Sequence, residues 1–98
     1  MIEIYLIPII KIMNITKKIL LGNGFVNKDI VFDLFGVEEH WNDCFERRFS
    51  DKIVAYKVDT NCLTVRHSCN HLCYFSITCY TTEKFNLAMQ LLDINFKL

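Results

Sequence analysis

Between Lys52 and Cys79 the chain contains three short stretches of alternating apolar and polar residues, separated by short turns. Alternation with β-branched and aromatic residues is typical of half-buried strands, and it predicts strands over Lys52–Val58, Cys62–His67 and Leu72–Cys79. The turns Asp59–Asn61 and Ser68–Asn70 contain Asp and Asn, which tolerate left-handed conformations. Connections this short join antiparallel neighbours, because a parallel return needs a crossover of about a dozen residues or more. The segment therefore predicts an antiparallel meander.

An amphipathic helix is predicted directly after the third strand, from Thr82 to Leu92, with Thr81 and Thr82 at its start. Its apolar residues recur at positions i, i+3, i+4 and i+7, as on one face of a helix: Phe85, Ala88, Met89 and Leu92. Leu91 widens this stripe. A small sheet with one apolar face needs such a cover to be stable, so we expect the helix to pack on the meander.

The first half of the chain is predicted to contribute a short helix and one or two strands. The helix covers Thr16–Leu21, is capped by Thr16 or Asn14 and ends at Gly22–Gly24, where Asn and Gly accept the left-handed C-terminal position. Three apolar residues of this region are expected to face the core: Ile15, Ile19 and Leu20. A strand is predicted over Asp29–Phe35 and ended by Gly36.

The segment from Glu38 to Phe49 fits two patterns. Helical spacing relates Val37, Trp41, Cys44, Phe45 and Arg48, whereas strand alternation relates Trp41, Asp43, Phe45, Arg47 and Phe49. Periodicity alone does not separate the two in a short segment. We favour a strand, because it would continue the meander and pair with Ile30–Phe35 or Ile53–Val58, and a helix is the alternative.

These elements predict an α+β fold: an antiparallel β-meander of four to five strands, a short N-terminal helix and a C-terminal helix packed on one face. A chain of 98 residues fits one domain, here assigned to residues 13–98. Residues 1–12 form an apolar stretch that Pro8 interrupts, too short to span a bilayer and without the basic start and cleavage site of a signal peptide. We expect this stretch to be a terminal edge strand or an apolar tail that adds little to the fold, or to precede a true start at Met13.

Composition restricts the function. Eleven basic and eleven acidic residues give a formal charge of zero, so the chain has no global field that attracts nucleic acid or anionic membrane. Five cysteines are an odd number, and with no signal peptide they are interpreted as reduced thiols in the cytoplasm. Cysteine is often buried, so most of them are expected to be small core residues.

The densest group of metal-binding residue types lies within and after the second strand: Cys62, His67, Cys69, His71 and Cys73. Thiolates and imidazoles bind zinc, and a tetrahedral site needs four of them. In an extended strand these residues spread over roughly 20 Å, since each residue advances about 3.3 Å, and only a turn at Ser68–Asn70 would gather them. No C-x-x-C pair is present, so the favoured interpretation is a turn with polar histidines and buried cysteines, and no bound metal or cofactor.

A cysteine nucleophile is a second hypothesis, with Cys69 beside His67 or His71, or Cys44 beside His40. Such a thiolate needs a lowered pKa and a third group that orients the histidine. Neither pair has a recognisable flanking signature, so no catalytic residue is assigned.

Charged residues cluster in the middle of the chain. The acidic run is expected to be a solvated face: Glu38, Glu39, Asp43 and Glu46. Arg47, Arg48, Lys52, Lys57 and Arg66 would resemble a platform for single-stranded nucleic acid if they converged beside Trp41, Tyr56 and Tyr74. With zero net charge and no aromatic RNA-binding motif, a solvated face is favoured, and Arg47, Arg48, Lys57 and Arg66 remain the nucleic-acid candidates.

Two segments carry a resemblance to a known group. The stretch Ile15-Thr-Lys-Lys-Ile-Leu-Leu-Gly-Asn-Gly-Phe25 and the ending Leu87-Ala-Met-Gln-Leu-Leu-Asp-Ile94 resemble short uncharacterised proteins of gut-bacterial phages and mobile elements. The resemblance covers about residues 13 to 95 and rests on structural motifs. It implies an accessory role in a phage or mobile element and transfers no catalytic residue.

The sequence therefore favours a small non-enzymatic interaction protein. We expect an unidentified protein partner, with self-association through an exposed strand edge or apolar surface as one form of it. A nucleic-acid-binding module and a small zinc-binding domain are the alternatives, and no membrane partner is expected.

Overall fold

In the computed structural model of the protein, the described residues are 14–32 and 35–98, without the side chains of residues 29–32 and 39–42. Two helices and five strands follow one another along them: α1 (Lys17–Gly22), β1 (Val26–Phe32), β2 (Glu38–Phe49), β3 (Lys52–Lys57), β4 (Cys62–His67), β5 (Cys73–Thr78) and α2 (Thr82–Leu91). The α+β prediction is confirmed. The expected tail at residues 1–12 and the start at Met13 lie outside the described residues.

The five strands form one antiparallel sheet in the order β1-β2-β3-β4-β5. The segment from Glu38 to Phe49 is a strand, as favoured from the sequence, and it pairs with both β1 and β3. The first strand begins at Val26, three residues before its predicted start, and its last assigned residue is Phe32. The first half of this strand lacks the alternation of buried and exposed residues, because Asn27 and Lys28 are both exposed. Pairing with β2 forms this part of the strand.

A threonine caps the N-terminus of each helix. Thr16 accepts a hydrogen bond from the backbone N–H of Ile19 at 3.2 Å, and Thr81 accepts one from Lys84 at 3.2 Å. Such caps satisfy N–H groups that have no partner within the helix. Among the described residues, no helix has the length and apolar composition needed to cross a membrane.

The core lies between the helices and one side of the sheet, here called the helix face. It includes Phe85 and Met89 from α2, both fully buried, and Ala88. The sheet and the N-terminal region contribute further buried residues to the same cluster: Ile15, Leu20, Phe25, Phe45, Val54, Tyr56, Leu63 and Val65. The predicted packing of α2 is confirmed, but Leu91 does not widen its buried stripe. The Leu91 side chain is 81% exposed, because it lies too far around the helix to reach the sheet.

The opposite side of the sheet, here called the arm face, is covered by the end of the β1–β2 hairpin. Lys28 pairs with Cys44, and Ile30 pairs with His40. One residue of β1 and three residues of β2 lie between these two pairs, so β2 contains two extra residues. Asp43, within this bulge, has a φ of 57°. A bulge of this kind bends a hairpin.

The described part of the hairpin beyond Asp43, residues 30–32 and 35–42, is here called the arm and returns towards the far end of the sheet. At its tip, a Cβ placed on Gly36 would lie 3.4 Å from the Asn70 carbonyl oxygen and 3.6 Å from Leu72 Cδ2. Asn70 follows the end of β4, whereas Asp43 lies at the other end of the sheet, where its carbonyl oxygen accepts a hydrogen bond from the Val58 N–H just after β3. Cys44 and Ala55 form a small buried cluster on this face, as expected if the arm lies over them.

Candidate interaction surface

The cysteines and histidines considered as candidate zinc ligands are spread along β4 and the turn after it. Cys62 begins β4 and lies 3.6 Å from the Ser76 hydroxyl, while His67 ends that strand and stacks on Tyr74 with ring centroids 4.5 Å apart. Cys69 is exposed in the turn. Among the described residues, no group of three or more His, Cys, Asp or Glu side chains could hold a metal ion.

The remaining two candidate ligands have other contacts. The Nδ1 atom of His71 accepts a hydrogen bond from Arg66 Nε at 3.3 Å. The thiol of Cys73 donates to the carbonyl oxygen of Phe75 at 3.1 Å. The turn at Ser68–Asn70 forms as predicted, and Cys62 lies at the other end of β4 from it.

We predict that the purified protein contains no stoichiometric zinc. Cys62 and His67 are five residues apart on an extended strand, roughly 16 Å, whereas ligands of one zinc ion lie only about 2.0–2.3 Å from it. Elemental analysis of protein purified without chelator should give far less than one zinc per chain, and EDTA should leave the melting temperature unchanged. One zinc per chain, with a large fall in melting temperature after EDTA, would reverse this prediction, because structural zinc contributes directly to folding.

The buried cysteines are poor nucleophiles. Burial, reinforced by the nearby Glu46 carboxylate, raises the pKa of Cys44 to about 12. Burial also raises the pKa of Cys79, so both thiols are protonated at neutral pH, and the thiol is not the reactive form. Cys69 is exposed, and the side chain of His40, the suggested partner of Cys44, lies outside the described residues.

The five basic residues considered for nucleic-acid binding do not converge on one face of the sheet. Arg47 and Lys52 lie on the helix face, where Arg47 Nη1 donates to the Asn23 carbonyl oxygen at 2.6 Å and Lys52 Nζ lies 3.4 Å from the Leu92 carbonyl oxygen. The Arg47 guanidinium also lies 4.8 Å from the centroid of the Phe49 ring. Both cations therefore hold the helical layer against the sheet.

The other three basic residues, Arg48, Lys57 and Arg66, belong to the arm face, as the strand alternation places them. Only Arg48 is exposed, and Lys57 is half-buried. Tyr56, proposed as a stacking residue, is fully buried in the core, and its hydroxyl donates to the Cys79 carbonyl oxygen. The side chain of Trp41 lies outside the described residues. This arrangement does not form the platform considered from the sequence.

Arg66 and Glu46 form a buried ion pair on the arm face. Arg66 is 4% exposed and Glu46 is 6% exposed, and Arg66 Nη1 lies 2.7 Å from Glu46 Oε2. Both residues were expected on solvated faces, and this expectation was wrong. The alternation correctly placed them opposite the helix face, but it did not indicate that the arm covers that side.

The β5 edge, residues Tyr74–Thr78, is an open strand edge. Among the described residues, β5 itself pairs only with β4, but just beyond it Asn14 bridges to Thr81 and the Ile15 N–H donates to the Tyr80 carbonyl oxygen. Cys79 donates its N–H to the Asn61 carbonyl oxygen at 2.7 Å, and such bonds recur at every second residue of an antiparallel strand. Ser76 and Thr78 occupy the intervening positions, so their N–H and C=O groups point away from β4.

In the part of the chain that the structure describes, the β5 edge has little of the protection that proteins give to such edges, which are usually blunted by charges, proline or bulges. From Leu72 to Thr82 the chain has no charged residue and no proline, and a register shift occurs only at the start of the strand. The opposite edge, β1, carries the exposed Lys28 and the larger irregularity described above. The two edges therefore differ in their capacity to accept another strand.

Lys84, Leu87 and Leu91 form a second exposed surface, here called the α2 flank, which contains two apolar side chains. Leu87 is 55% exposed and Leu91 is 81% exposed. The other flank of α2 is occupied by the C-terminal segment, since Asn86 Oδ1 accepts a hydrogen bond from the Leu98 N–H at 2.7 Å. At 3.6 residues per turn, Leu91 falls on the flank opposite Asn86.

The position of the C-terminal segment shows which way the α2 flank faces. The Phe96 ring lies 5.9 Å from that of Phe25 and 5.0 Å from that of Phe49, so this segment lies over the β1–β2 side of the sheet. The α2 flank therefore faces the other side, towards β5.

A search of known protein families, curated proteins and solved structures finds no match to this chain.

Proposed function

We propose that this protein is a small non-enzymatic interaction protein that acts by binding another polypeptide strand along its β5 edge. The observation that carries the proposal is the uncharged edge strand with outward-pointing N–H and C=O groups at Ser76 and Thr78. An added strand would satisfy these groups by main-chain hydrogen bonds, and the exposed side chains along the strand would provide specificity. The resemblance to phage and mobile-element proteins suggests an accessory role in such an element.

Several of the described side chains that could carry chemistry are held in structural contacts or buried. Arg66 is paired with Glu46, Arg47 is bonded to Asn23, and the thiols of Cys44 and Cys79 are buried. These contacts stabilise the fold. An active site, by contrast, brings a nucleophile or base together with an accessible position for the substrate. A binding role needs only the open edge and its surroundings.

The test is site-specific photo-crosslinking in living cells. A benzoylphenylalanine residue placed at Ser76 should give a discrete crosslinked product, because a bound strand would lie about 5 Å from β5. The same residue at Val26, which is 51% exposed on the opposite edge strand, is the matched control and should give little product. Equal or absent crosslinking at the two positions would refute the proposed function.

A further inference from the structure

We propose that the strand bound by the β5 edge is the β5 strand of a second copy, so that the protein is a two-fold symmetric dimer. In this dimer the two β5 strands run antiparallel with Ser76 facing its own copy, and the two sheets join into one of ten strands. The inference rests on the proposed function and specifies its partner.

The geometry of β5 suits a two-fold axis. A two-fold axis perpendicular to a strand generates an antiparallel pair, and it makes the same patch meet itself. With the axis at Ser76, Thr78 of one copy lies opposite Tyr74 of the other. The outward N–H and C=O of Ser76 then bond reciprocally to those of the second Ser76, which is the hydrogen-bonded pair of an antiparallel ladder.

The absence of charge favours a second copy over an unrelated partner. A charged residue on the two-fold axis meets its own copy, and one beside the axis lies close to its own copy. Like charges that face each other destabilise a strand pair. The β5 strand, Cys73–Thr78, has none. A strand built to select a charged partner would instead carry complementary charges.

The α2 flank adds a second contact on the same side. The connection from β5 to α2 is only three residues long, Cys79–Thr81, so the N-terminal half of α2 lies beside the β5 edge. Joining two β5 strands brings the two α2 flanks towards each other and covers Leu87 and Leu91. The helices then run antiparallel, and Lys84 faces the C-terminal half of the other α2, whose negative end favours a cation.

The first test uses charge on the axis. Sedimentation equilibrium of the wild-type protein should give twice the chain mass at micromolar concentration. Ser76→Lys and Ser76→Glu should each sediment as monomers, because like charges meet across the axis. An equimolar mixture of the two variants should recover the dimer, since opposite charges then meet.

The mixture makes this experiment specific. A variant that merely folded poorly would not be rescued by another, and circular dichroism of each variant alone reports its folding. Val26→Lys and Val26→Glu, on the opposite edge, are the matched controls and should remain dimeric. A dimer that persists in both Ser76 variants, or a mixture that stays monomeric, would refute pairing at this position.

The second test concerns the α2 flank. Leu87→Gln combined with Leu91→Gln should raise the dissociation constant of the dimer at least about tenfold, the scale expected when a buried leucine is lost. Leu21→Gln is the control, since Leu21 is 55% exposed on α1 and should leave the constant unchanged. An unchanged constant in the double variant would remove α2 from the interface.

The two proposals fail in different ways. A wild-type protein that is monomeric at all concentrations would overturn the dimer. If Ser76 still crosslinks to a different protein in cells, the β5 edge is an interaction surface and only the identity of its partner was wrong. If neither self-association nor crosslinking occurs at Ser76, both proposals are refuted.

Discussion

Truncation of Phe85 to alanine should lower the free energy of unfolding by about 3–5 kcal/mol. Phe85 is fully buried, and its ring meets those of Phe25 and Phe96 in edge-on contacts at centroid distances of 6.1 and 6.3 Å. The substitution removes the transfer free energy of the ring and leaves a cavity between α2, the sheet and the C-terminal segment. Urea unfolding followed by circular dichroism measures the loss.

Leu21→Ala is the control for this measurement. It also removes a large apolar side chain from a helix, but Leu21 is 55% exposed, and a surface substitution usually changes stability by less than about 0.5 kcal/mol. If Phe85→Ala were as mild as Leu21→Ala, α2 would not be packed on the sheet as described.

The sequence patterns of α2 and β4 predicted these elements well, because the local signals along each element all favoured the same structure. In α2 the threonine cap and the spacing of Phe85, Ala88 and Met89 agree, and the helix begins within one residue of the predicted start. In β4 the alternation of Leu63 and Val65 with polar residues gave the observed bounds. The extent of burial was harder to predict, since Leu91 is apolar and yet exposed.

The segment from Glu38 to Phe49 shows where periodicity loses its value. Two periods fitted it, and pairing with neighbouring strands, which is a long-range effect, decided between them. The bulge at Asp43 then shifts the register, so no single alternation runs through the whole strand.

The arm face was the main feature that alternation did not predict. Polar residues at alternate positions usually meet solvent, but here Glu46 and Arg66 are buried on the face to which the arm returns. One signal was present in the sequence, because two small residues, Cys44 and Ala55, share that face. Small side chains permit another backbone to approach closely, and a solvated sheet face has no need of them.

The interaction surface follows from topology more than from composition. The alternating strand around Ser76 was evident, but only the strand order makes β5 an edge. In the same way, the exposure of Leu91 gains meaning only from the position of the C-terminal segment on the other flank of α2.

Replacing Arg66 with methionine should destabilise the protein by about 3–5 kcal/mol. Methionine keeps much of the side-chain volume, so the dominant effect is the loss of the charge partner 2.7 Å from Glu46 Oε2. Glu46 is 6% exposed and would remain as an uncompensated carboxylate, and burying an unpaired charge is costly. His71 would also lose the hydrogen bond that its Nδ1 accepts from Arg66.

Removal of both charges should recover most of this loss. The variant Glu46→Leu/Arg66→Met leaves two apolar side chains on a face that already contains the buried Cys44 and Ala55, and such replacements of buried ion pairs are often neutral or stabilising. Urea unfolding of the wild type, both single variants and the double variant forms a double-mutant cycle, which isolates the coupling between Glu46 and Arg66. The surface substitution Arg48→Met on the same face, where Arg48 is exposed, is the control for losing an arginine. A double variant less stable than Arg66→Met, or a single variant as mild as Arg48→Met, would mean that the arm does not hold this pair away from water.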